Sequence, residues 1–408
     1  MSPFSCRSCG RQAILPVLSL GQLPLANRLL SEDDLMRPEP RYPLDVVMCT
    51  DCALVQITET VPPEILFRDY VYFSSYSTTM LDSSEALANR LVNERALDGH
   101  SLVIEIGSND GYLLQFYQRH GVSVLGIDPA LNVAEIARQE RQIPTISEFF
   151  DQSLANRLAT AGQRADVIHA NNVLAHVSDL NGVVAGMRTL LADDGVAVVE
   201  VPYVRELVER AEFDTVYHEH LCYFSVLSLD YLFERHELTL QHVERIPIHG
   251  GSLRLFVGRE GEPSDAVRDL VAAERSLGMQ QHTFYAQLGE RVAQVKHSVH
   301  RLLAELRADG RRIAAYGAAA KGATLLGYCG LGPTDIEFVV DLNPHKHGKF
   351  MPGAHVPIVA PEYLESAAPD YLLILAWNLS DEIVEQQAAF RARGGRFVVP
   401  VPYARIID

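Results

Sequence analysis

The central part of the chain alternates short apolar runs with longer stretches in which apolar residues recur every three or four positions. The apolar runs are SLVIEIG, SVLGID, ADVIHANN and GVAVVEVP, and the first of them begins at Ser101. Short apolar runs bounded by turn residues are typical of buried strands. Because these strands alternate with helical stretches, we predict a doubly wound α/β core of Rossmann-like type within residues 61–262.

The regions on either side of this core have different patterns. Residues 310–408 contain a second strand–helix series, with the runs RRIAAYG, DIEFVVD, DYLLILAW and RFVVPVP, and predict a smaller Rossmann-like domain. Residues 263–309 predict a helical connector, because apolar side chains recur there at helical spacing. That apolar stripe consists of Phe284, Leu288, Val292, Val295, Val299, Leu302 and Leu306. Residues 1–60 are rich in proline and short β-like runs, and they predict a separate small domain.

Four cysteines of the first domain form two pairs with the same spacing. Cys6 pairs with Cys9, Cys49 pairs with Cys52, and Gly10 follows the first pair. Two residues between thiolates let both reach one ion from a tight turn, so we predict a structural zinc held by all four cysteines. A site with four thiolates has no open coordination position, and this zinc is therefore expected to stabilise the fold rather than catalyse. A redox pair, or thiols without metal, is the alternative.

Composition and charge restrict the classes of function. The chain has 408 residues, 48% of them hydrophobic, and its 35 Lys and Arg against 52 Asp and Glu give a formal charge of -17. This acidic surplus disfavours a protein whose main role is to bind nucleic acid. No apolar run approaches the roughly 18 residues that span a membrane, and the first residues lack a signal-peptide layout. We expect a cytoplasmic monomer or small homo-oligomer without nucleic-acid or membrane partners.

A glycine-rich turn follows the first strand of the central series. Its G-x-x-x-G spacing, EIGSNDG, differs from the G-x-G-x-x-G fingerprint that binds a pyrophosphate. Such a turn lets the backbone pass close to a ligand, and S-adenosylmethionine, which carries no phosphate, suits it. An aspartate at the end of the next strand can accept both ribose hydroxyls, although a plain turn is the alternative. The predicted donor-binding residues are Glu105, Gly107, Asn109, Gly111, Tyr112, Asp128, Pro129, Asn171 and Asn172.

The densest cluster of reactive side chains is Tyr217-His218-Glu219-His220. A histidine beside a glutamate and a tyrosine offers a general base, an orienting carboxylate and a phenol donor. The two histidines are two positions apart, unlike the helical HExxH arrangement, so a metal site is disfavoured and a structural cluster is the other alternative. His176 follows the strand ADVIHANN at its carboxyl end, the edge where open α/β sheets bind ligands.

Several segments, in this order along nearly the whole chain, carry a family resemblance. They are the paired CxxC motifs, YVYFSSY at 70–76, EIGSNDG at 105–111, FDTVYHEH at 213–220, GGSLR at 250–254 and YGAAAKG at 316–322. The chain resembles the S-adenosylmethionine-dependent sugar C-methyltransferases of deoxysugar pathways in antibiotic biosynthesis. Members of that family act on nucleotide-linked 4-keto sugars, so the resemblance implies a nucleotide-sugar substrate, with dTDP as the expected nucleotide.

The resemblance also implies roles for particular residues. His220 is implied as the base. Glu219, His176 and two tyrosines of the segment at 70–76, Tyr72 and Tyr76, are implied to line the same site; we call this segment the aromatic bridge. A ketone acidifies the neighbouring C–H bond, so a base near neutral pKa can form an enolate, whose oxygen then needs positioned donors. We expect transfer to C3. Transfer to C5, or to an oxygen or nitrogen, remains the alternative.

The carboxyl-terminal series has its own glycine loop. Gly317 opens a turn after a strand, Lys321 lies in that turn, Asp341 ends the next strand, and Lys349 follows. This arrangement resembles half of a dinucleotide fold, and we expect these four residues to hold the nucleotide part of the substrate. A domain kept only for packing is the alternative. A zinc-ribbon nucleic-acid binder and a nicotinamide-dependent sugar dehydratase or epimerase are disfavoured, because of the acidic charge and the missing G-x-G-x-x-G spacing.

Overall fold

Three separate sheets follow one another along the chain, in the N-terminal, central and carboxyl-terminal parts. The structure is a computed structural model that describes residues 4–67 and 73–408. The predicted architecture of a cysteine-bearing N-terminal domain, a Rossmann-like core and a smaller carboxyl-terminal Rossmann-like domain is confirmed. Tyr72 lies outside the described residues. No helix in the described ranges has the length and apolar character needed to cross a membrane.

The N-terminal domain is a small antiparallel sheet. Its own elements are β1 (Ile14–Leu23), β2 (Tyr42–Cys49), β3 (Val55–Ile57) and the short helix α1 (Pro63–Phe67). β2 pairs with both β1 and β3, and its inward side chains, such as Leu44 and Met48, are fully buried. The fourth strand is Cys222–Tyr223, which pairs with β3. Because that strand directly follows FDTVYHEH, the sheet fixes the motif between the N-terminal and central domains.

The central domain contains one seven-stranded sheet. Its strands are β4 (Leu102–Ile106), β5 (Ser123–Ile127), β6 (Thr145–Ile146), β7 (Ala165–Asn171), β8 (Leu191–Pro202), β10 (Thr239–Ile246) and β11 (Ser252–Gly258), while β9 is Cys222–Tyr223. The order is β10-β11-β8-β7-β4-β5-β6, with parallel pairing from β8 to β6 and antiparallel pairing of β11 to its neighbours. Central residues such as Val103, Ile104 and Val167 are fully buried, as expected of strands covered on both faces.

Helices cover both faces of this sheet. They are α2 (Thr78–Glu94), α3 (Leu114–Arg119), α4 (Leu131–Glu140), α5 (Gln152–Thr160), α6 (Leu180–Leu190), α7 (Val204–Arg210) and α8 (Val226–Glu234). Side-chain caps define where several of them begin, since Asp151 accepts a hydrogen bond from the Leu154 N–H and Asp179 from the Gly182 N–H. The caps therefore fix the directions in which the loops above the sheet leave the strands.

The connector and the carboxyl-terminal domain complete the fold. The connector contains α9 (Asp265–Ser276), α10 (His282–Tyr285) and α11 (Leu288–Ala308), and the predicted apolar stripe faces the core, with Leu303 more deeply buried than Leu302. The last domain has the elements β12 (Ile313–Tyr316), α12 (Ala320–Cys329), β13 (Val339–Val340), β14 (Ile358–Val359), α13 (Tyr363–Ala367), β15 (Tyr371–Ile374), α14 (Ser380–Gln386), α15 (Ala388–Ala392), β16 (Arg396–Val399) and β17 (Arg405–Ile407). Its order is β14-β13-β12-β15-β16-β17, parallel except for β17.

Candidate active site and metal site

A cavity of about 390 Å³ opens at the carboxyl ends of β4, β5 and β7. The predicted donor residues that line it are Gly107, Asn109, Tyr112, Asp128, Pro129, Asn171 and Asn172. Among the described residues, His176 and the aromatic side chains of Phe67 and Phe149 also line it. The sheet topology therefore brings most of the predicted donor set to one cavity, at the edge where parallel strands present their ligands.

The turn after β4 needs glycine at two positions. Gly107 has a φ of +68°, and a Cβ there would lie 2.6 Å from a methyl carbon of Val173. Gly111 has a φ of +77°, and its Cβ would lie 3.0 Å from Ile143. Both the backbone conformation and the close packing exclude larger residues. Gly111 does not line the cavity but shapes the turn that does.

Asp128 is fixed by the backbone of the donor turn. One carboxylate oxygen accepts the Asn109 N–H at 2.8 Å and the other accepts the Ala130 N–H at 2.9 Å. Burial raises the pKa of Asp128 to about 6, against the lowering effect of these two hydrogen bonds. Each carboxylate oxygen has a second lone pair, so this geometry leaves acceptors for two further hydroxyl groups.

Glu105 is a buried carboxyl group behind the same turn. Its side chain lies outside the lining of the cavity, and the residue is only 1% exposed. Burial, reinforced by the charges of Asp128 and Asp110, raises the pKa of Glu105 well above its usual value. Its Oε2 atom has no hydrogen-bond partner in the described part of the chain. Because this side chain lies behind the turn, its contact with the ammonium group of S-adenosylmethionine stays a prediction.

His220 lies beside this cavity in a defined orientation. Its Nδ1 lies 2.7 Å from the carbonyl oxygen of Thr215, which can only accept, so Nδ1 carries the proton. Nε2 is then the acceptor, and the Tyr217 hydroxyl donates to it at 2.8 Å. The ring of His176, which lines the cavity, is 4.7 Å from the His220 ring. Burial lowers the pKa of His176 to about 4, which keeps that ring neutral near pH 7.

The two other residues of this motif point to the N-terminal domain. The Nε2 atom of His218 lies 3.3 Å and 3.2 Å from the carbonyl oxygens of Tyr42 and Pro43, so His218 braces the backbone of β2. Glu219 is 2% exposed, and both of its carboxylate oxygens accept from the side-chain nitrogen of Asn27 at 2.9 Å. Burial raises the pKa of Glu219 to about 7, and the Asn27 hydrogen bond opposes that shift.

The aromatic bridge contributes only partly to the described site. Tyr76 is 58% exposed and its ring packs 5.4 Å from that of Phe73, so its hydroxyl is not enclosed. Phe67, which the sequence analysis did not select, packs edge-on against His176 at 5.7 Å. Neither Phe67 nor Asn27 belongs to a recognisable motif, and only the fold reveals them.

The four predicted cysteines meet at one point. Their sulfur atoms all lie within 4.8 Å of one another, and Cys6–Cys52 and Cys9–Cys49 are each 3.5 Å apart. A tetrahedral zinc with Zn–S bonds of about 2.3 Å requires sulfur atoms roughly 3.8 Å apart, so the cluster fits zinc. A hydrogen bond from Cys52 lowers the pKa of Cys6 to about 5, while burial raises that of Cys49 to about 11. A divalent cation would supply the charge that deprotonates the remaining thiols.

Comparison with known proteins assigns these domains to a family. Three family models match in succession: "Putative zinc binding domain" at residues 6–67, "Methyltransferase domain" at 80–243 and "C-methyltransferase C-terminal domain" at 247–402. The C-methyltransferase NovU of Streptomyces niveus is 38% identical over 406 residues, which cover 99% of this chain and 96% of that protein. The chain belongs to the S-adenosylmethionine-dependent sugar C-methyltransferases. The predicted cofactors, S-adenosylmethionine and a structural zinc, are confirmed for this methyltransferase.

Two further matches cover only part of the methyltransferase. The ubiquinone biosynthesis O-methyltransferase of Bartonella quintana (strain Toulouse) is 30% identical over 97 residues, which cover 24% of this chain and 39% of that protein. A magnesium protoporphyrin IX methyltransferase from Synechocystis PCC 6803, solved with bound SAM, has 15% identity and a TM-score of 0.34. The match covers 44% of this chain and 79% of the Synechocystis chain. Neither match decides which atom accepts the methyl group.

The methyltransferase's carboxyl-terminal glycine loop has the same design as its donor loop. Gly317 has a φ of +94°, and its Cβ would lie 3.1 Å from that of Ala376. Asp341 accepts the Ala318 N–H at 2.7 Å, and Lys346 donates to the same oxygen at 3.1 Å. Lys349 lies in the loop before β14, where its N–H donates to the Lys346 carbonyl.

Lys321 occupies a buried cluster between two domains of the methyltransferase. Its ammonium nitrogen lies over the Trp377 ring, 4.7 Å from the centroid, and has no hydrogen-bond partner in the described ranges. Burial lowers the pKa of Lys321, and the nearby carboxylates of Asp214 and Glu212 oppose that shift. Burial raises the pKa of Asp214 to about 6 and the pKa of Glu212 to about 7. The charge of Lys321 opposes both of these shifts. A direct contact of Lys321 with a diphosphate therefore stays a prediction.

Proposed function

We propose that this enzyme methylates C3 of a nucleotide-linked 4-keto-deoxysugar, with dTDP as the nucleotide, through a base-catalysed enolate. The observation that carries the proposal is the orientation of His220. Its Nδ1–H is committed to the Thr215 carbonyl, so the basic atom is Nε2, which would take the substrate proton in place of the hydrogen bond that it now accepts from Tyr217. The His220 ring is 4.7 Å from the ring of His176, which lines the cavity proposed for the donor.

The donor is held by the residues of the central sheet. Asp128 would accept hydrogen bonds from the ribose hydroxyls, because its oxygens are already oriented by two backbone N–H groups. Glu105, whose Oε2 has no hydrogen-bond partner in the described ranges, remains the proposed contact of the ammonium group, and the Gly107 backbone, which lines the cavity, would approach the amino-acid tail. When bound, S-adenosylmethionine supplies a methyl group on a sulfonium centre, and the protein's contribution to the transfer is alignment.

The acceptor carbon becomes nucleophilic only after deprotonation. A 4-keto group acidifies the C–H bond at C3, His220 Nε2 takes that proton, and the C–H electron pair moves into the enolate. The enolate oxygen then needs donors that are already in place. Neutral His176 is the candidate within the described site, together with Tyr72 and Tyr76 of the aromatic bridge, because the Tyr217 hydroxyl already donates to His220 Nε2. Glu219 would bind a sugar hydroxyl.

The carboxyl-terminal domain would hold the nucleotide. Gly317, Lys321, Asp341 and Lys349 remain the proposed contacts, and the tight turn at Gly317 supports a backbone approach to a phosphate. Asp341 already accepts from Lys346, so it would bind a ribose through its remaining lone pairs. Transfer to C5 is the second candidate, because the ketone acidifies that carbon equally well.

One experiment tests the reaction and the position together. The protein is incubated with dTDP-4-keto-6-deoxyglucose and S-adenosylmethionine carrying a ¹³C-methyl group, and the product is examined by NMR. We expect the label on C3, which then bears no proton. Without the donor, in deuterated water, the C3 proton should exchange. Label on C5 would favour the second candidate, and label on oxygen or nitrogen would overturn carbon methylation.

A further inference from the structure

The carboxylate of Glu219 receives its hydrogen bonds from another domain. The side-chain nitrogen of Asn27, which lies between β1 and β2, is 2.9 Å from both carboxylate oxygens. The amide nitrogen of Asn27, which can only donate, faces the carboxylate oxygens, which accept when Glu219 is ionised. The zinc-binding domain thus contacts the FDTVYHEH motif through the Asn27 amide as well as through the backbone carbonyls near His218.

The loop that carries Asn27 is held on both sides. Within the loop, the Arg28 N–H donates to the Leu25 carbonyl at 3.1 Å. On the outer side, Leu30 and Phe350 exchange two backbone hydrogen bonds, of 3.0 Å and 2.8 Å, with the carboxyl-terminal domain. The position of the Asn27 amide is therefore set by the zinc domain and the carboxyl-terminal domain together.

No charged side chain compensates Glu219 within the described ranges. Burial and the Asn27 hydrogen bond are the influences on its pKa, which lies near 7. The titratable groups of the surrounding segments are Tyr217, His218 and His220 on its own turn and His176 beside it. An isolated buried carboxylate depends strongly on each hydrogen bond it accepts.

We propose that Asn27 is a positioning residue, through which the zinc-binding domain holds the Glu219 carboxylate in place for the acceptor sugar. The inference rests on the proposed function, in which Glu219 binds a sugar hydroxyl. It gives the zinc-binding domain a part in turnover beyond folding. The zinc site maintains the domain, the domain carries the loop, and the loop amide fixes the carboxylate.

Exchanging the amide and the carboxylate between positions 27 and 219 distinguishes a positioning role of Asn27 from a role in packing alone. Asn27→Asp places two carboxylates face to face and should reduce both stability and turnover. The double variant Asn27→Asp/Glu219→Gln restores a donor opposite a carboxylate with the roles reversed. It should recover stability, measured by denaturant unfolding, whereas turnover should stay about 10- to 100-fold below wild type, the scale for losing a hydrogen bond to a charged group. Donor affinity should stay unchanged in both variants.

Asn181→Ala is the matched control. Asn181 also joins the two domains, since its side-chain nitrogen donates to the carbonyls of Arg7 at 2.7 Å and Ser8 at 3.1 Å, but it does not contact Glu219. If loose docking of the zinc domain were the cause, Asn181→Ala would lose turnover as Asn27→Asp does. We expect its turnover on dTDP-4-keto-6-deoxyglucose to stay within about twofold of wild type.

Different results would contradict the role of Asn27 and the proposed function. Wild-type turnover in the double variant would overturn the positioning role, because Glu219 would then be replaceable by an amide. Stability effects of Asn27→Asp and Glu219→Gln that simply add would overturn the contact itself. Failure of the wild-type protein to exchange or methylate the probe sugar would contradict the proposed function, while the stability measurements would still decide the Asn27–Glu219 pair.

Discussion

Asp128 and Asp341 occupy equivalent positions in two different sheets, and each accepts a backbone N–H from the glycine turn of the neighbouring strand. The distances are 2.8 Å from the Asn109 N–H and 2.7 Å from the Ala318 N–H. They differ in one respect, because Lys346 donates to Asp341 at 3.1 Å and Asp128 has no such partner among the described salt bridges. The same local design therefore leaves a negative acceptor in the donor cavity and a neutralised one in the carboxyl-terminal domain.

This difference yields a paired prediction for donor binding. Asp128→Ala should weaken S-adenosylmethionine binding by about 1–3 kcal/mol, the scale for removing a charged acceptor from a buried site. Asp341→Ala, in the other sheet, should leave the donor affinity unchanged. Isothermal titration calorimetry measures both. Equal donor affinity in Asp128→Ala and wild type would remove Asp128 from the ribose role.

The zinc cluster predicts that substituting a cluster cysteine and a cysteine outside the cluster will have different effects on zinc content. Cys49→Ser should lower the zinc content towards zero and reduce the melting temperature, because three thiolates hold the ion poorly and the small domain depends on it. Cys329→Ser, a buried cysteine outside the cluster, should keep one zinc per chain. Metal analysis and thermal unfolding provide the two measurements. A full zinc complement in Cys49→Ser would contradict coordination by all four cysteines.

The raised pKa of Glu219 predicts that the stability difference between Glu219→Gln and wild type depends on pH. Its pKa is about 7 in the folded protein, raised by burial from a usual value of 4.5, so between these values the folded state binds more protons than the unfolded chain. The free energy of unfolding contributed by Glu219 therefore falls as pH rises through that window. Glu219→Gln does not titrate, so its stability relative to wild type should rise by up to about 3 kcal/mol between pH 4.5 and pH 8.

Denaturant unfolding at several pH values measures this difference. The zinc site and the histidines are common to both proteins and cancel in the comparison. Glu148→Gln, at an exposed position, is the control and should show no such trend. A constant difference between Glu219→Gln and wild type across the range would show that burial does not shift this carboxyl group.

The fold was predictable from the sequence where its signals are local. Buried strands, the positive-φ glycine turn at Gly107 and the CxxC pairs each depend on a few neighbouring residues, and the structure contains all of them. The contact between Asn27 and Glu219 spans 192 positions and joins an unremarkable loop residue to a motif. The pairing of Cys222–Tyr223 with the N-terminal sheet is equally non-local. Neither leaves a periodic or compositional signal.

Lys321 illustrates a different limit of sequence reasoning. A lysine in a glycine loop after a strand is typical of phosphate binding, and the strand, turn and helix form as expected. Lys321 itself, however, lies in the first turn of α12 and not in the loop where the sequence analysis placed it. Its charge environment depends on Asp214 and Glu212, which come from a distant segment packed against α12. Which partner a buried charge faces is decided by tertiary packing, and a local motif does not contain that information.

The last prediction concerns the base itself. His220→Asn should bind S-adenosylmethionine almost as wild type does, because the His220 ring is not among the residues that line the donor cavity. It should also still bind the sugar nucleotide, because the proposed nucleotide contacts in the carboxyl-terminal domain are unchanged. It should lose at least about 100-fold in turnover, the usual scale for a positioned general base. It should also abolish exchange of the C3 proton of dTDP-4-keto-6-deoxyglucose in deuterated water, a step that requires deprotonation but no donor.

A comparison with Tyr217→Phe makes this test specific. The Tyr217 hydroxyl donates to His220 Nε2 at 2.8 Å, so Tyr217→Phe removes this hydrogen bond from the basic nitrogen while leaving the ring and the Thr215 hydrogen bond in place. If His220 is the base, Tyr217→Phe should retain measurable exchange at C3 and His220→Asn should retain none. If exchange persisted at the wild-type rate in His220→Asn but disappeared in Tyr217→Phe, the proton would be removed by the tyrosine, and His220 would only orient it.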